Sequence, residues 1–250
     1  YNKIGNGLFA QGDGPGALTA YRKSLAIRET LVGRDPANSE WQRDLSVSHN
    51  KIGNVLVAQG DGPGALAAFR KDIAIAETLA GRDPANTEWQ RDLSVSYNKI
   101  GNVLVAQGDG PGALVAYRKG LAIREALVGR DPANTQWQSD LSISLEKIGN
   151  VLIAQGDGPG ALIVYRKSLA VRETLAGRDP ANTKWQVDLA ISCSQLGTAS
   201  GLSLAERQDY LKRGLKILMD LKLAGRLLPN QNRIGWFEAA LKKLDAKTAD

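Results

Sequence analysis

Most of this chain is one block of residues written about four times over. Residues 50–97 and residues 98–145 are nearly identical letter for letter, and the same block begins at Asn2 and again at Glu146, a period of 48. Self-similarity at a fixed period of this size means stacked supersecondary units, each burying its apolar face on its neighbours. The same fact argues against a unique catalytic centre, because every residue of the block recurs along the chain. An extended surface built from near-copies suits holding something.

One block is enough to read the local structure. Between Asp83 and Arg130, Asp83-Pro84 marks a turn, because the residue before proline avoids the helical region. Thr87-Glu88-Trp89-Gln90 fits a capping box with Thr87 as N-cap and Gln90 reaching back. Trp89, Leu93, Tyr97, Ile100 and Leu104 then recur at spacings of three and four, which predicts an amphipathic helix, A, to about Gln107, stopped by Gly108. Gly108-Asp109-Gly110-Pro111-Gly112 is a tight connection with Pro111 in the first turn of the next helix. Helix B carries Ala113, Leu114, Tyr117, Leu121, Ile123 and Leu127 and is expected to end at Gly129 as its C′ residue. Each helix is roughly 30 Å long at about 1.5 Å per residue. No segment alternates with period two, so the expected fold class is all-α.

The block boundaries divide the chain into a partial first repeat over 1–35, repeats over 36–83, 84–131 and 132–179, and a divergent last unit over 180–250. In that last unit Ser194-Gln195-Leu196-Gly197 takes the Asn-Lys-Ile-Gly register, and Leu211-Lys-Arg-Gly-Leu-Lys-Ile echoes helix B. Trp236 is expected to begin a closing helix to about Leu244, with Lys242, Lys243 and Lys247 at its end, where cations suit the helix dipole. A polar terminal element lets a stack of repeats stop. Tyr1 has no such cap and opens in mid-repeat, so an apolar end and a longer parent chain are expected.

At this level the residues resemble the tetratricopeptide repeat. Ile52-Gly53, Leu56, Gly60, Ala65 and Phe69 match that family's small-residue signature in order and spacing. So do Ile100-Gly101, Leu104, Gly108, Ala113 and Tyr117, and then Ile148-Gly149, Leu152, Gly156, Ala161 and Tyr165. A small residue in mid-helix is costly unless another helix must come close. The block exceeds the family's usual repeat and is similar to the long-helix repeats of the kinesin light chain type, notably at Tyr117-Arg-Lys-Gly-Leu-Ala-Ile-Arg-Glu. The resemblance implies a right-handed superhelical solenoid of antiparallel helix pairs, with helix A lining the concave side.

On that geometry Arg43, Val47, Asn50, Asn54 and Val57 share one stripe of helix A, being three or four apart. Asparagine is a poor helix-interior residue. The chain nevertheless places Asn2 and Asn6, Asn50 and Asn54, Asn98 and Asn102, and Asn150 on this stripe, with Arg43 and Arg91 one or two turns away. Two readings stand. In one, these residues form a ladder of carboxamides that grips the main chain of an extended peptide, as the array of O-linked N-acetylglucosamine transferase does. In the other, they tie neighbouring A helices together. Two columns differ between copies: Glu40, Glu88, Gln136, Lys184, and Arg43, Arg91, Ser139, Val187. They suit either a charge gradient read by a ligand or drift at solvated helix starts. Lysine-based carboxylate clamping is not expected, since asparagine stands at 50 and 98.

Composition removes other function classes. The formal charge is +6, but ten Lys/Arg against six Asp/Glu lie in residues 203–250, leaving the repeats nearly neutral, without the basic stripe of a nucleic-acid binder. The single cysteine, Cys193, permits no intrachain disulfide and fits a reducing, cytoplasmic setting. No apolar run is long enough to span a membrane. His49 shares its register with Tyr97, Leu145 and Cys193, which marks a packing position and not a catalytic or metal site. The Gly-Asp-Gly-Pro-Gly loops follow helices and lack the P-loop lysine, so they are turns. Trp41, Trp89, Trp137 and Trp185 are expected to wedge successive repeats together. The sequence thus points to a non-catalytic scaffold that binds a peptide or protein segment, without cofactor or metal. The competing expectations are a regulatory arm of a larger enzyme and a self-assembling module joined through the Tyr1 end.

Overall fold

The computed structural model of the protein describes residues 1–246. Among them there is no strand, and helices follow one another in close-set pairs: α1 (Asn2–Ala10) with α2 (Gly14–Arg34), α3 (Ser39–Ala58) with α4 (Gly62–Arg82), α5 (Thr87–Ala106) with α6 (Gly110–Arg130), α7 (Thr135–Ala154) with α8 (Gly158–Arg178), and α9 (Thr183–Thr198) with α10 (Leu204–Leu223). A short 3-10 turn at Pro229–Gln231 leads to α11 (Ile234–Ala246), which opens two residues before the expected Trp236; Lys247 lies outside the described residues. The chain forms two compact units, Tyr1–Leu127 and Val128 onward, with the division inside α6.

The helix ends explain the pairing and correct two expectations. The N-cap of α5 is Asn86, not Thr87: the Asn86 side chain accepts from the Trp89 amide at 3.1 Å. Asn38, Asn134 and Asn182 cap α3, α7 and α9 in the same way. Gln90 does not reach back but donates to the Ala80 carbonyl at 3.1 Å. Both residue types cap well, and the turn after Asp83-Pro84 leaves the first of them at the helix mouth. Asn86→Ala is therefore expected to cost about 1 kcal/mol, and Thr87→Ala only a few tenths, as read by chemical denaturation. Helix A stops as expected, with Gly108 at φ +80. Helix B does not stop at its glycine. Gly129 and its equivalents stay helical, and α4 and α8 end at Asp83 and Asp179, whose carboxylates accept from the amides of Ala85 and Ala181. The last arginine of helix B then hooks the loop that opens its own repeat: Arg82 donates to the Ala37 carbonyl at 3.4 Å and Arg178 to Ala133 at 2.8 Å.

Within each pair the helices run antiparallel and touch at the glycine of helix A. A Cβ at Gly53 would lie 2.6 Å from the Phe69 ring, and at Gly101 2.4 Å from the Tyr117 ring. The same close approach recurs in the second unit, between Gly149 and Tyr165 and, at the end of the stack, between Gly214 and Phe237. Leu211, Leu218, Leu221, Phe237 and Leu244 bury one another beneath α11, which closes the second unit with an apolar inner face. Trp89 is half-buried in a crevice lined by Arg43, Ser46, Ala76 and Leu79, so it packs across the preceding repeat as a wedge does.

Candidate functional site

The asparagines of helix A are first of all tied to the aromatic residue of helix B. In the first unit the Tyr21 hydroxyl donates to Asn6 Oδ1 and the Tyr117 hydroxyl to Asn102 Oδ1, each at 2.8 Å. In the second unit Tyr165 donates to Asn150 Oδ1 at 2.7 Å. Burial holds the Tyr117 and Tyr165 hydroxyls up at about 12, so they remain donors across the physiological range. Neighbouring A helices also meet here, with Lys51 Nζ donating to Asn6 at 2.8 Å and Gln195 Nε2 to Asn150 at 3.3 Å. With their oxygens occupied, Asn6 and Asn150 offer a ligand N–H donation rather than a full carboxamide.

Phe69 has no hydroxyl, and the α3–α4 pair differs accordingly. Asn54 Nδ2 donates to Asn50 Oδ1 at 3.2 Å, and Asn50 Nδ2 to Asp72 Oδ2 at 2.8 Å. Asn6, Asn102 and Asn150 are exposed, and Asn2, Asn50 and Asn54 are half-buried. Asn98 departs from the expected ladder: it is only 6% exposed, turned in beside Gly120 of α6, because it sits a full turn nearer the repeat core than Asn102. Three residues beyond each outer asparagine stands an exposed aliphatic side chain, Val57 and Val105 in the first unit and Ile153 in the second, at 49%, 46% and 44% exposure. The first unit therefore presents a recurring pair, one carboxamide and one apolar side chain, on each full-length A helix.

The two arginines stand otherwise than as open ligand groups. Arg43 Nε donates to Asp92 at 2.8 Å and its Nη2 pairs with Glu88 at 2.7 Å, both on the next A helix, while Arg91 is half-buried at the same register of α5. The two variable columns thus meet one repeat apart. Where position 43 is arginine, position 88 is glutamate; where position 139 is serine, position 184 is lysine, and Lys184 Nζ reaches Ser139 Oγ at 3.3 Å and Asp188 at 2.8 Å.

Beneath Asn50 and Asn54 lies a cavity of about 190 Å³, lined also by Ser46, Asp72, Asp92 and Ser96. Asp72, 2% exposed, is its floor. The carboxylate accepts from Ser46 Oγ, Asn50 Nδ2 and, at 2.7 Å, Ser96 Oγ. Burial pushes its pKa up, those three hydrogen bonds pull it down, and nearby Asp92 adds to the upward push. Spacing along the chain does not single out Asp72. Comparison down the repeats does, since its column reads Ser24, Asp72, Gly120, Ser168.

His49, Tyr97, Leu145 and Cys193 are all buried, as one packing register should be. Burial pushes the Cys193 thiol up to about 11 and lowers the His49 imidazole. Among the described residues no group of three or more His, Cys, Asp or Glu is placed to hold a metal ion, and no helix is long and apolar enough to cross a membrane.

A sequence profile of the tetratricopeptide repeat matches residues 1–38, 48–86, 93–134 and 143–182, more than half of the chain. The chain belongs to the tetratricopeptide repeat family. Among solved structures, this tetratricopeptide chain is similar to BtubC (BKLC) from P. vanneervenii, with a TM-score of 0.68 at 15% identity over 93% of this chain and 83% of that one. A Podosopora anserina protein of kinesin light chain type with nearly identical repeats gives 0.61 at 17% identity, over 89% and 94% of the two chains. RapI gives 0.59 at 12% identity, over 99% and 82%. At these identities the likenesses show the fold, an all-α tetratricopeptide solenoid, and nothing finer. Comparison with curated proteins gives no match. Membership in the family supports, in general terms, a protein-interaction scaffold.

Proposed function

We propose that this tetratricopeptide chain is a non-catalytic scaffold that holds an extended segment of another protein against the A-helix face of its first unit. The observation that carries this is the recurring pair of a carboxamide and an exposed aliphatic side chain, half-buried Asn54 with Val57 and exposed Asn102 with Val105, together with the cavity beside Asn54. N–H donors at regular intervals suit the carbonyls of a peptide main chain, and the aliphatic members suit every second or third side chain. The Tyr–Asn hydrogen bonds favour the same reading, since they fix the orientation of Asn6 and Asn102 before a ligand arrives. Preorganisation of this kind lowers the ordering cost of binding.

Magnitudes set the expected strength. Hydrogen bonds net about 1 kcal/mol each, against an association cost of roughly 4–15 kcal/mol, so a few carboxamides and shallow apolar contacts give micromolar or weaker binding. A peptide array probed with the 250-residue chain and with an Asn6→Ala, Asn54→Ala, Asn102→Ala variant tests it. The wild type is expected to retain extended peptides and the folded variant to lose at least about tenfold in affinity, two to three net hydrogen bonds being removed. Equal retention by both proteins would end the reading.

A further inference from the structure

We infer that the cavity between α3, α4 and α5 is a receptor for a guanidinium group, and that an arginine side chain of the bound peptide occupies it. The inference rests on the peptide reading above for its occupant, but the cavity can be tested without a peptide.

The chain itself shows what this layer of a repeat is built to hold. One column of helix B reads Arg28, Ala76, Arg124, Arg172. Arg172 is buried between serines of two A helices, donating to Ser142 Oγ at 3.4 Å and to Ser192 Oγ at 3.0 Å, and it pairs with Glu146. Arg28 donates to Ser48 Oγ and to the Asp44 carbonyl, and Arg124 to Ser94 Oγ at 3.2 Å. Among α2, α4, α6 and α8, only α4 lacks the arginine. Ala76 stands in its place, and the corresponding serines, Ser46 and Ser96, flank the Asp72 carboxylate instead.

The second repeat thus keeps the acceptors of the layer, adds an acid, and omits the cation. Asp72 is held only by neutral donors, and Asp92 lines the same cavity, its Oδ2 engaged by Arg43. The cationic side chain on the lining, Lys51, directs its Nζ at Asn6. A space of about 190 Å³ exceeds the roughly 150 Å³ that admits a benzene ring, so a planar guanidinium fits. Guanidinium also matches a carboxylate with hydroxyl neighbours better than ammonium does, because its donors are spread over a rigid fork.

Two probes and two variants decide the matter. Asp72→Ser installs the residue that the chain carries at 24 and 168, and Ala76→Arg restores the arginine that it carries at 28, 124 and 172. Methylguanidinium is titrated against equal sodium chloride while the side-chain amide resonances of Asn50 and Asn54 are followed. In parallel, twelve-residue Ala/Ser peptides carrying one arginine, lysine or norleucine at successive positions are assayed for binding. Methylguanidinium is expected to move both resonances in the wild type and in neither variant. Arginine peptides are expected to bind about ten- to a hundredfold tighter than norleucine peptides, from the strength of hydrogen bonds to a charged group, with the preference lost in both variants. If methylguanidinium binds but no peptide does, the cavity assignment stands and the peptide reading falls. If peptides bind without an arginine preference and methylguanidinium moves nothing, the assignment is overturned and the peptide reading stands. Equal capture of lysine and arginine peptides, or a preference that survives Asp72→Ser, would also overturn it.

Discussion

Gly149→Ala is expected to lower the thermal midpoint by roughly 4–8 °C, whereas Gly177→Ala, one helix later, raises it slightly. A Cβ at Gly149 would sit 2.3 Å from Tyr165 Cε1 and 2.7 Å from Cδ1, well inside contact distance. The ring cannot swing aside cheaply, because it is almost wholly buried and its hydroxyl is tied to Asn150. Overpacking of a well-packed core costs up to about 3 kcal/mol, which an approach this close reaches, and the gain in helix propensity from glycine to alanine returns about 1 kcal/mol, leaving a net cost of about 2 kcal/mol. At Gly177 nothing lies within 4 Å of the added methyl, so only the propensity gain remains. For a chain of this size 1 kcal/mol moves the midpoint by about 2–4 °C. A circular-dichroism melt of the two variants beside the wild type is sufficient. If Gly149→Ala were neutral, α7 and α8 would not approach as closely as described.

Replacing Arg172 by methionine is expected to be more damaging still, at about 3–5 kcal/mol. The guanidinium is 2% exposed and engages Ser142, Ser192, the Asp188 carbonyl and Glu146. Its loss leaves Glu146, a quarter exposed, without its counterion and takes a donor from the Ser142 and Ser192 hydroxyls, of which Ser142 keeps its bond to the Ser139 carbonyl. Because whole domains are stable by only about 5–15 kcal/mol, a large share of the second unit's stability is at stake. The double replacement of Arg172 and Glu146 by methionine is expected to recover much of the loss, since an apolar pair of similar volume needs no charge compensation. A double-mutant cycle by urea unfolding measures this. A double variant as unstable as the single would mean that packing, not the stranded charge, sets the cost.

The repeat period, the helix pairing and the glycine–aromatic contact are all legible in the sequence, since each is a local pattern stated several times over. What escaped a reading along the chain depends on distance in space. Asn86 and Thr87 are adjacent and both favour helix caps, so only the path of the Asp-Pro turn decides between them. Asn98 and Asn102 share a stripe by spacing, yet one is buried, because a stripe wide enough to include both spans the border between core and surface. The columns at 43 and 88 resemble a gradient when each is read alone, and become contacts between successive repeats once read one repeat apart, an ion pair at Arg43–Glu88 and a hydrogen bond at Lys184–Ser139. Asp72 and Ala76 are unremarkable in their own helix and stand out only against their equivalents in the other copies.

A chain of near-copies carries a hazard of its own, since each block resembles its twin closely enough to compete for its place. The buried polar layer works as an address. Were α8 to settle against α3 in place of α4, Arg172 would meet Asn50 where it now meets Glu146, and a guanidinium would be buried without its counterion. Were α4 to settle against α7, Asp72 would meet Glu146 where it now meets Asn50, carboxylate against carboxylate. Each exchange costs several kcal/mol, so a few unlike residues let four like segments find their own places.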